Sequence, residues 1–325
     1  MITTIRLWHW GAFGVLVVFL LLLDLFVFHR RAHTPSIRES TLFSIFWIGL
    51  GLAFNGFLWW WQGSHAGLLF LTGFLVEKSL SMDNLFVFAV IFRYFHVPLM
   101  HQYRVLFWGI LGAILMRLIF ILGGIALVEQ FEFVMLMFGG LLLYSAYKLM
   151  RDHGAEVHPD RNVALRLGRR YLRVSQGDHN QYGQRFFVRE NDRWCITPLM
   201  LVLLVIESTD VLFAFDSVPA IIGITKDRFI AFSSNVFAIL GLRALYFLLA
   251  GVMELFSYLH YGLSAVLGFI GLKMIAEYVA EQAGWIPAHA HLFPPAVSFA
   301  IVAGLLGISI LASVATGGRR GRSDS

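Results

Sequence analysis

Nine apolar stretches, each about as long as a lipid bilayer is thick, constrain this chain more than any other feature. They lie at about 7-28, 41-61, 67-92, 104-128, 132-150, 196-223, 228-252, 258-277 and 292-315. A helix needs about 20 apolar residues to cross the hydrocarbon core. Only 14% of the residues are charged, well below the usual quarter of a soluble domain. We therefore expect an all-α polytopic membrane protein with about nine transmembrane helices.

Basic residues indicate the orientation of these helices. They concentrate in alternate loops, at Arg30, Arg31 and Arg38, at Arg93 and Arg104, between Arg151 and Arg193, and at Arg319, Arg320 and Arg322. Short basic loops stay in the cytoplasm, so we expect the amino terminus outside and the carboxyl terminus inside. The net charge of +5 is then explained by topology and by contact with anionic membrane lipid, and we expect no binding of nucleic acid.

Two of the apolar stretches carry carboxylates near their middle. Glu77 and Asp83 lie in FLVEKSLSMDNLFVF, and Glu207, Asp210 and Asp216 lie in LVIESTDVLFAFDSVPA. Each buried charge costs roughly 3 kcal/mol unless it is protonated, paired or bound to a cation. Ionisable groups inside a membrane usually line an interior path, so the pattern predicts a cation site.

The two halves of the chain repeat the same order of charged helices. Asp83 and Asp210 are 127 residues apart, Arg117 and Arg243 are 126 apart, and Lys148 and Lys273 are 125 apart. Three helices in each copy reverse the orientation of the second copy, which is the inverted repeat of many secondary transporters. We expect five segments, namely 1-65 (accessory transmembrane helices), 66-150 (first three-helix repeat), 151-195 (cytoplasmic loop), 196-280 (second repeat) and 281-325 (last transmembrane helix and basic tail).

Helical geometry does not bring all the acids to one face. Glu207 and Asp210 share a face, but Asp216 lies six residues further on, and Asp83 lies six residues beyond Glu77. Pro219 and the Ser and Asn residues around the acids indicate local unwinding, which would free backbone carbonyls as ligands. Asn84 returns to the face of Glu77 and offers another oxygen. We expect Ser217 to support this site.

Oxygen donors of this kind suit hard divalent ions such as Mn²⁺, Mg²⁺ or Ca²⁺, whereas Zn²⁺ and Cu⁺ prefer thiolate or imidazole. A proton relay is the alternative, although five acids exceed what a relay requires. Arg117 and Arg243 lie deep in their helices and are interpreted as partners of nearby acids. Lys78 can tune Glu77, and we expect Lys148 and Lys273 to extend towards the membrane surface.

The segments EKSLSMDN and ESTDVLFAFDSVPA, together with NVFAILGLRALYFLLAG, resemble the signature stretches of the TerC family of bacterial integral membrane proteins, close to its Alx branch, within the LysE-type transporter superfamily. The resemblance covers nearly the whole chain. It implies an exporter of Mn²⁺ in the cell inner membrane, with Glu77, Asp83, Glu207, Asp210 and Asp216 as metal ligands.

We therefore expect a transporter that works by alternating access and proton antiport, with a divalent cation as substrate and with no organic cofactor or enzymatic activity. No phosphate-binding loop of the G-x-x-x-x-G-K-[ST] type occurs in the sequence. Two alternatives belong to other classes. One is a scaffold that recruits stress proteins through the cytoplasmic loop, and the other is an intramembrane enzyme that uses paired aspartates.

Overall fold

The computed structural model describes residues 6–26, 36–151, 162–175, 182–190, 193–250, 258–285 and 292–320. Its helices are α1 (Leu7–Phe26), α2 (Ile37–Gln62), α3 (Ser64–Tyr94), α4 (Leu99–Gln130), α5 (Phe133–Arg151), α6 (Val163–Tyr171), α7 (Pro198–Ile224), α8 (Arg228–Ile239), α9 (Leu242–Ala250), α10 (Leu259–Gln282) and α11 (Pro295–Arg320). Two short strands, β1 (Phe187–Glu190) and β2 (Arg193–Ile196), form an antiparallel hairpin. The chain is thus a helical polytopic membrane protein, as expected.

Seven of the described helices are long and apolar enough to cross a membrane, and the bent pair of α8 and α9 makes an eighth span if counted as one. Helix α3 is also long enough, at 31 residues, but Glu77, Lys78 and Asp83 lower its hydropathy. With α3 included, the count agrees with the nine stretches of the sequence. The orientation of the termini stays a prediction.

Several helices begin where a side chain caps their free backbone N–H groups. Thr197 accepts a hydrogen bond from the backbone N of Met200 at the start of α7, where Pro198 occupies the first helical position. Asp227 accepts from the backbone N of Phe229 and of Ile230 at the start of α8. These caps fix the residues at which the acidic helix α7 and the first helix of the bent pair begin.

Helices α3, α4, α7 and α8 form the centre of the molecule. Helix α3 packs against α2, α7, α8 and α11, and α4 packs against α7 and α8. Helices α5 and α10 form a close pair beside this centre. The two helices that carry carboxylates near their middle therefore both lie in the interior.

The close pair of α5 and α10 supports the predicted inverted repeat. A Cβ atom on Gly139 would lie 3.0 Å from the carbonyl oxygen of Gly271, so only glycine allows this approach. Seven residues along α5, Ser264 donates to the carbonyl oxygen of Ala146 at 2.5 Å. Gly139 and Ser264 are 125 residues apart, and so are Ala146 and Gly271, so the two contacts form the reciprocal pattern of a two-fold axis. The repeat itself and the five-segment division stay predictions.

Between α5 and α7 the described residues form α6 and the hairpin, and α6 spans the first nine residues of VALRLGRRYLRV, a segment of interspersed apolar and basic residues. The hairpin is not among the elements predicted from the sequence, although Asn191 and Asp192 between two runs of bulky residues are a turn signal. Those two residues lie outside the described part of the chain, as do Arg30, Arg31 and Arg322.

Candidate functional site

A buried ion pair joins the two central helices α3 and α4. The Oε2 atom of Glu77 lies 2.5 Å from Nη1 of Arg117, and their side chains are only 3% and 1% exposed. Ser81, one turn after Glu77, donates to its Oε1 at 3.1 Å. Arg117 also donates to Oδ1 of Asn235 on α8 at 2.7 Å. Both charges are therefore compensated inside the protein by groups from three helices.

Asp210 on α7 lies beside this pair but differs from Glu77 in its bonding. Its residue exposure is 8%, and its Oδ2 atom has no hydrogen-bond partner among the described residues. Arg117 and Glu77 both lie close enough to act on it electrostatically. A buried carboxylate oxygen without a partner is costly, and native proteins seldom keep one without a functional reason.

Asp210 lies on the wall of a small cavity between α3, α4, α7 and the bent pair. Its polar wall consists of Ser81, Asn84, Arg117 and Asp210, and apolar side chains complete the lining. The cavity volume is about 20 Å³, which is room for about one water molecule or one dehydrated ion. The structure thus brings the predicted ligands Glu77, Asn84 and Asp210 to one place and adds Ser81, which sequence analysis did not single out.

The other predicted ligands lie elsewhere in this conformation. Asp216 accepts a hydrogen bond of 2.5 Å from Ser145 on α5, and half-buried Glu207 lies against Gly112 on α4. Asp83 is half-buried and does not line the cavity. Within the described ranges, no three His, Cys, Asp or Glu side chains are grouped to hold a metal ion. The six-ligand shell is not assembled, because α7 is continuous and Asp216 therefore faces away from Asp210.

The prediction that the helix unwinds around the acids was wrong about the position of the break. Helix α7 runs without a break through Pro219. Proline removes one backbone hydrogen bond, but the residues around it are buried and tightly packed, so the helix continues. The break occurs instead between α8 and α9, which meet at 42°. Gly241 stands at this break with φ of +81°, and the Trp47 side chain occupies the space that a Cβ would need. Ser217 is buried on α7, and its hydroxyl has no hydrogen-bond partner in the described structure.

The predicted supporting residues Lys78 and Arg243 make different contacts. Lys78 is buried, and its Nζ donates to the carbonyl oxygens of Ala238 at 3.0 Å and Leu240 at 3.5 Å, at the break. Arg243 lies 2.6 Å from Asp24, so it anchors α1 and is not paired with a motif acid.

The lysines of the α5 and α10 pair also differ. Lys148 is exposed, which agrees with extension towards the membrane surface. Lys273 is 4% exposed and donates to the carbonyl oxygen of Gly223 at 3.2 Å, so the expectation that it reaches the surface was wrong. A free carbonyl at the end of α7 and the carboxylate of Glu277, 3.8 Å away, hold it inside.

The loop between α5 and α7 contacts the second acidic motif directly, which no sequence signal indicated. Asn162, just before α6, donates to the hydroxyl of Ser208 at 3.0 Å and of Thr209 at 3.5 Å. These two residues lie between Glu207 and Asp210 in the sequence. Gly168 of α6 faces Leu201, so α6 runs along the first half of α7 and links the loop to the acidic helix.

Comparison with known proteins gives a consistent result. A family profile described as "Integral membrane protein TerC family" matches residues 62–320. The chain is 46% identical over 306 residues to the uncharacterized membrane protein STKORF319 of Myxococcus xanthus, which covers 94% of this chain and 91% of that protein. It is 43% identical over 311 residues to a protein of Salmonella typhi named putative membrane-bound redox modulator Alx, covering 93% and 92% of the two chains. An uncharacterized membrane protein of Rickettsia bellii is 38% identical over 306 residues, covering 94% and 96%. No solved structure matches.

Proposed function

The chain belongs to the TerC family of integral membrane proteins, and from this premise we propose that it transports a divalent metal ion and that it exports Mn²⁺ from the cytoplasm. The observation that carries the proposal is the Oδ2 atom of Asp210, which is buried and has no hydrogen-bond partner among the described residues, on a residue that lines a small, mostly apolar cavity together with Ser81, Asn84 and Arg117. A cation is the partner that best satisfies such an oxygen within a membrane.

The donors around this oxygen favour a hard ion. Asp210 offers a carboxylate, Asn84 an amide oxygen and Ser81 a hydroxyl, and Glu77 lies next to them. Mn²⁺, Mg²⁺ and Ca²⁺ all accept such ligands. The choice of Mn²⁺ and of export rests on the family resemblance of the two acidic motifs.

Arg117 gives the site a way to change its charge. Without substrate, its guanidinium neutralises Glu77, and its Nη1 already bonds Asn235 on α8. A divalent ion at Asp210 repels the guanidinium, so Arg117 shifts towards Asn235 and Glu77 turns to the ion. This exchange couples ion binding to a contact between α4 and α8. Movement of the two predicted repeats then opens the site to the other side.

Proton antiport follows from the same carboxylates. When the ion leaves outward, the charge that it neutralised inside the membrane needs another cation, so a proton replaces the ion before the return step. Glu207 and Asp216, which lie along α7 on either side of Asp210, offer further places for protons or for the ion on its way.

Some relatives are named redox modulators, but this chain has little capacity for thiol redox chemistry. Cys195 in β2 is the single cysteine of the sequence, so an intramolecular disulfide cannot form. The cavity lined by Asp210, called the acidic cavity below, therefore supports metal transport better than it supports thiol exchange.

Mn²⁺ flux in proteoliposomes tests the proposal. Wild-type protein should move Mn²⁺ along its gradient with an opposite flow of protons, and Asp210→Asn should abolish both. Glu129→Gln is the matched control, because Glu129 is an acid that pairs with Arg228 at an exposed position. No flux above protein-free liposomes would contradict the proposal.

A second pair of variants separates transport from the scaffold alternative. Phe187 and Trp194 are exposed on the cytoplasmic hairpin, at 55% and 71%, away from the acidic cavity. Replacing both with Ser should leave manganese tolerance of cells unchanged if the chain is a transporter. Loss of tolerance with full Mn²⁺ flux in proteoliposomes would favour a scaffold.

A further inference from the structure

The break between α8 and α9 leaves backbone carbonyls without helical partners in the interior of the protein. Helix α8 ends at Ile239, and α9 starts at Leu242 at an angle of 42°. Carbonyl oxygens at the end of a helix carry partial negative charge and require donors or a cation. In the packed interior of a membrane protein, bulk water does not donate hydrogen bonds to these oxygens.

The break is built into the protein by packing. Gly241 adopts a φ of +81°, which favours glycine, and the side chain of Trp47 on α2 fills the space beside it. Leu240 and Gly241 are therefore held in their conformation by a residue from another helix. In this conformation the carbonyls of Ala238 and Leu240 accept no backbone hydrogen bond from the described residues.

Lys78 supplies the missing positive charge. Its Nζ donates to Ala238 O at 3.0 Å and to Leu240 O at 3.5 Å, and the residue is only 7% exposed. The adjacent acid, Glu77, is engaged 2.5 Å from Arg117 and by Ser81, so the ammonium is held mainly by the two carbonyls. Such carbonyls at an interrupted membrane helix are typical ligands of a small monovalent cation.

The break also adjoins the acidic cavity. Ile239 and Leu242, on either side of it, both line the cavity that contains Asp210. A charge at the break therefore lies close to the cavity that contains Asp210.

We propose that the break between α8 and α9 is a monovalent cation site whose cation is the tethered ammonium of Lys78. The carbonyls of Ala238 and Leu240 hold a positive charge there in every state of the protein. Truncation of the lysine opens this site to Na⁺ from solution. The proposal is independent of metal transport, because it concerns the stability of the bent pair.

The test compares two variants of Lys78 in two salts. Lys78→Ala removes the ammonium and leaves room for an ion, whereas Lys78→Met removes the charge but keeps the stem of the side chain. Thermal unfolding of the purified proteins is followed in NaCl and in N-methylglucamine chloride at equal ionic strength. Binding of Na⁺ to the folded state raises the unfolding temperature in a saturable manner.

We expect Na⁺ to raise the unfolding temperature of Lys78→Ala by several degrees and to leave wild type and Lys78→Met unchanged. Lys78→Ala that folds only when Na⁺ is present gives the same support. An equal response of all three proteins, or a Lys78→Ala variant that stays unfolded in both salts, overturns the proposal. Mn²⁺ flux by the wild type is a separate measurement, so failure here does not bear on transport.

Discussion

The two arginine-bearing segments show how similar sequences are used differently. Helix α4 runs unbroken for 32 residues, and its Arg117 pairs with Glu77 of the acidic cavity. The corresponding segment of the second half is divided into α8 and α9, and its Arg243 pairs with Asp24 of α1. The first arginine therefore lines the cavity that contains Asp210, and the second holds α1 against α9. A buried charge in a membrane helix thus does not by itself indicate a ligand.

The acidic helices differ in the same way where they meet these segments. Helix α3 reaches Ala238 of α8 with Lys78, while α7 reaches Gly112 of α4 with the carboxylate of Glu207. Ala238 and Gly112 are 126 residues apart and so correspond in the predicted repeat. The segment that breaks at Gly241 has carbonyls that accept hydrogen bonds from a lysine, whereas the unbroken helix α4 is approached at Gly112 by a carboxylate. Opposite charges at related positions make the two halves inequivalent.

Arg117→Ala should produce one of the two largest losses of stability. It leaves Glu77 buried without its cation and removes the donor to Asn235, which typically costs about 3–5 kcal/mol. Chemical unfolding in detergent measures this loss. The double variant Glu77→Gln with Arg117→Met should recover most of it, because no unpaired charge remains. A single variant as stable as the wild type would show that the pair is not buried as described.

Arg243→Ala should also destabilise by about 3–5 kcal/mol, because Asp24 then lacks its partner. Its folded fraction should still bind Mn²⁺ as the wild type does, in contrast to Asp210→Asn. Titration at a temperature well below unfolding checks this. Loss of Mn²⁺ affinity in Arg243→Ala would erase the distinction between the two arginines.

Gly241→Ala should cost about 1–3 kcal/mol, since alanine is strained at φ of +81° and its Cβ would meet Trp47. The matched control is Gly123→Ala in α4, where a Cβ has open space and stabilisation of up to about 1 kcal/mol is expected. Thermal unfolding of both variants compares the broken and unbroken segments directly. Equal effects would mean that the break is not maintained by glycine.

The smallest effect is expected at Lys148. This lysine is exposed on α5, so Lys148→Ala should change stability by no more than about 0.5 kcal/mol. Lys273→Ala should cost more, because it leaves Glu277 and the carbonyl of Gly223 without their cation. If the two variants behave alike, the lysines have equivalent surroundings after all.

Sequence patterns predicted the helical membrane architecture and the location of the acids, since hydropathy and buried charge are local signals. They did not predict the break at Gly241, because its φ depends on Trp47 from another helix. Pro219 is a local signal that tertiary packing overrides. Two pairs join residues that are far apart in the chain, Asp24 with Arg243 and Asn162 with Ser208. No local sequence pattern predicts either pair.

The most direct test compares the two aspartates of α7. The electron paramagnetic resonance signal of free Mn²⁺ falls when the ion binds to protein, so titration of purified protein gives the affinity. Asp210→Asn should lose at least tenfold in affinity, whereas Asp216→Asn, whose native carboxylate bonds Ser145 away from the cavity, should lose much less. Unchanged affinity in Asp210→Asn, with strong loss in Asp216→Asn, would contradict a site centred on Asp210.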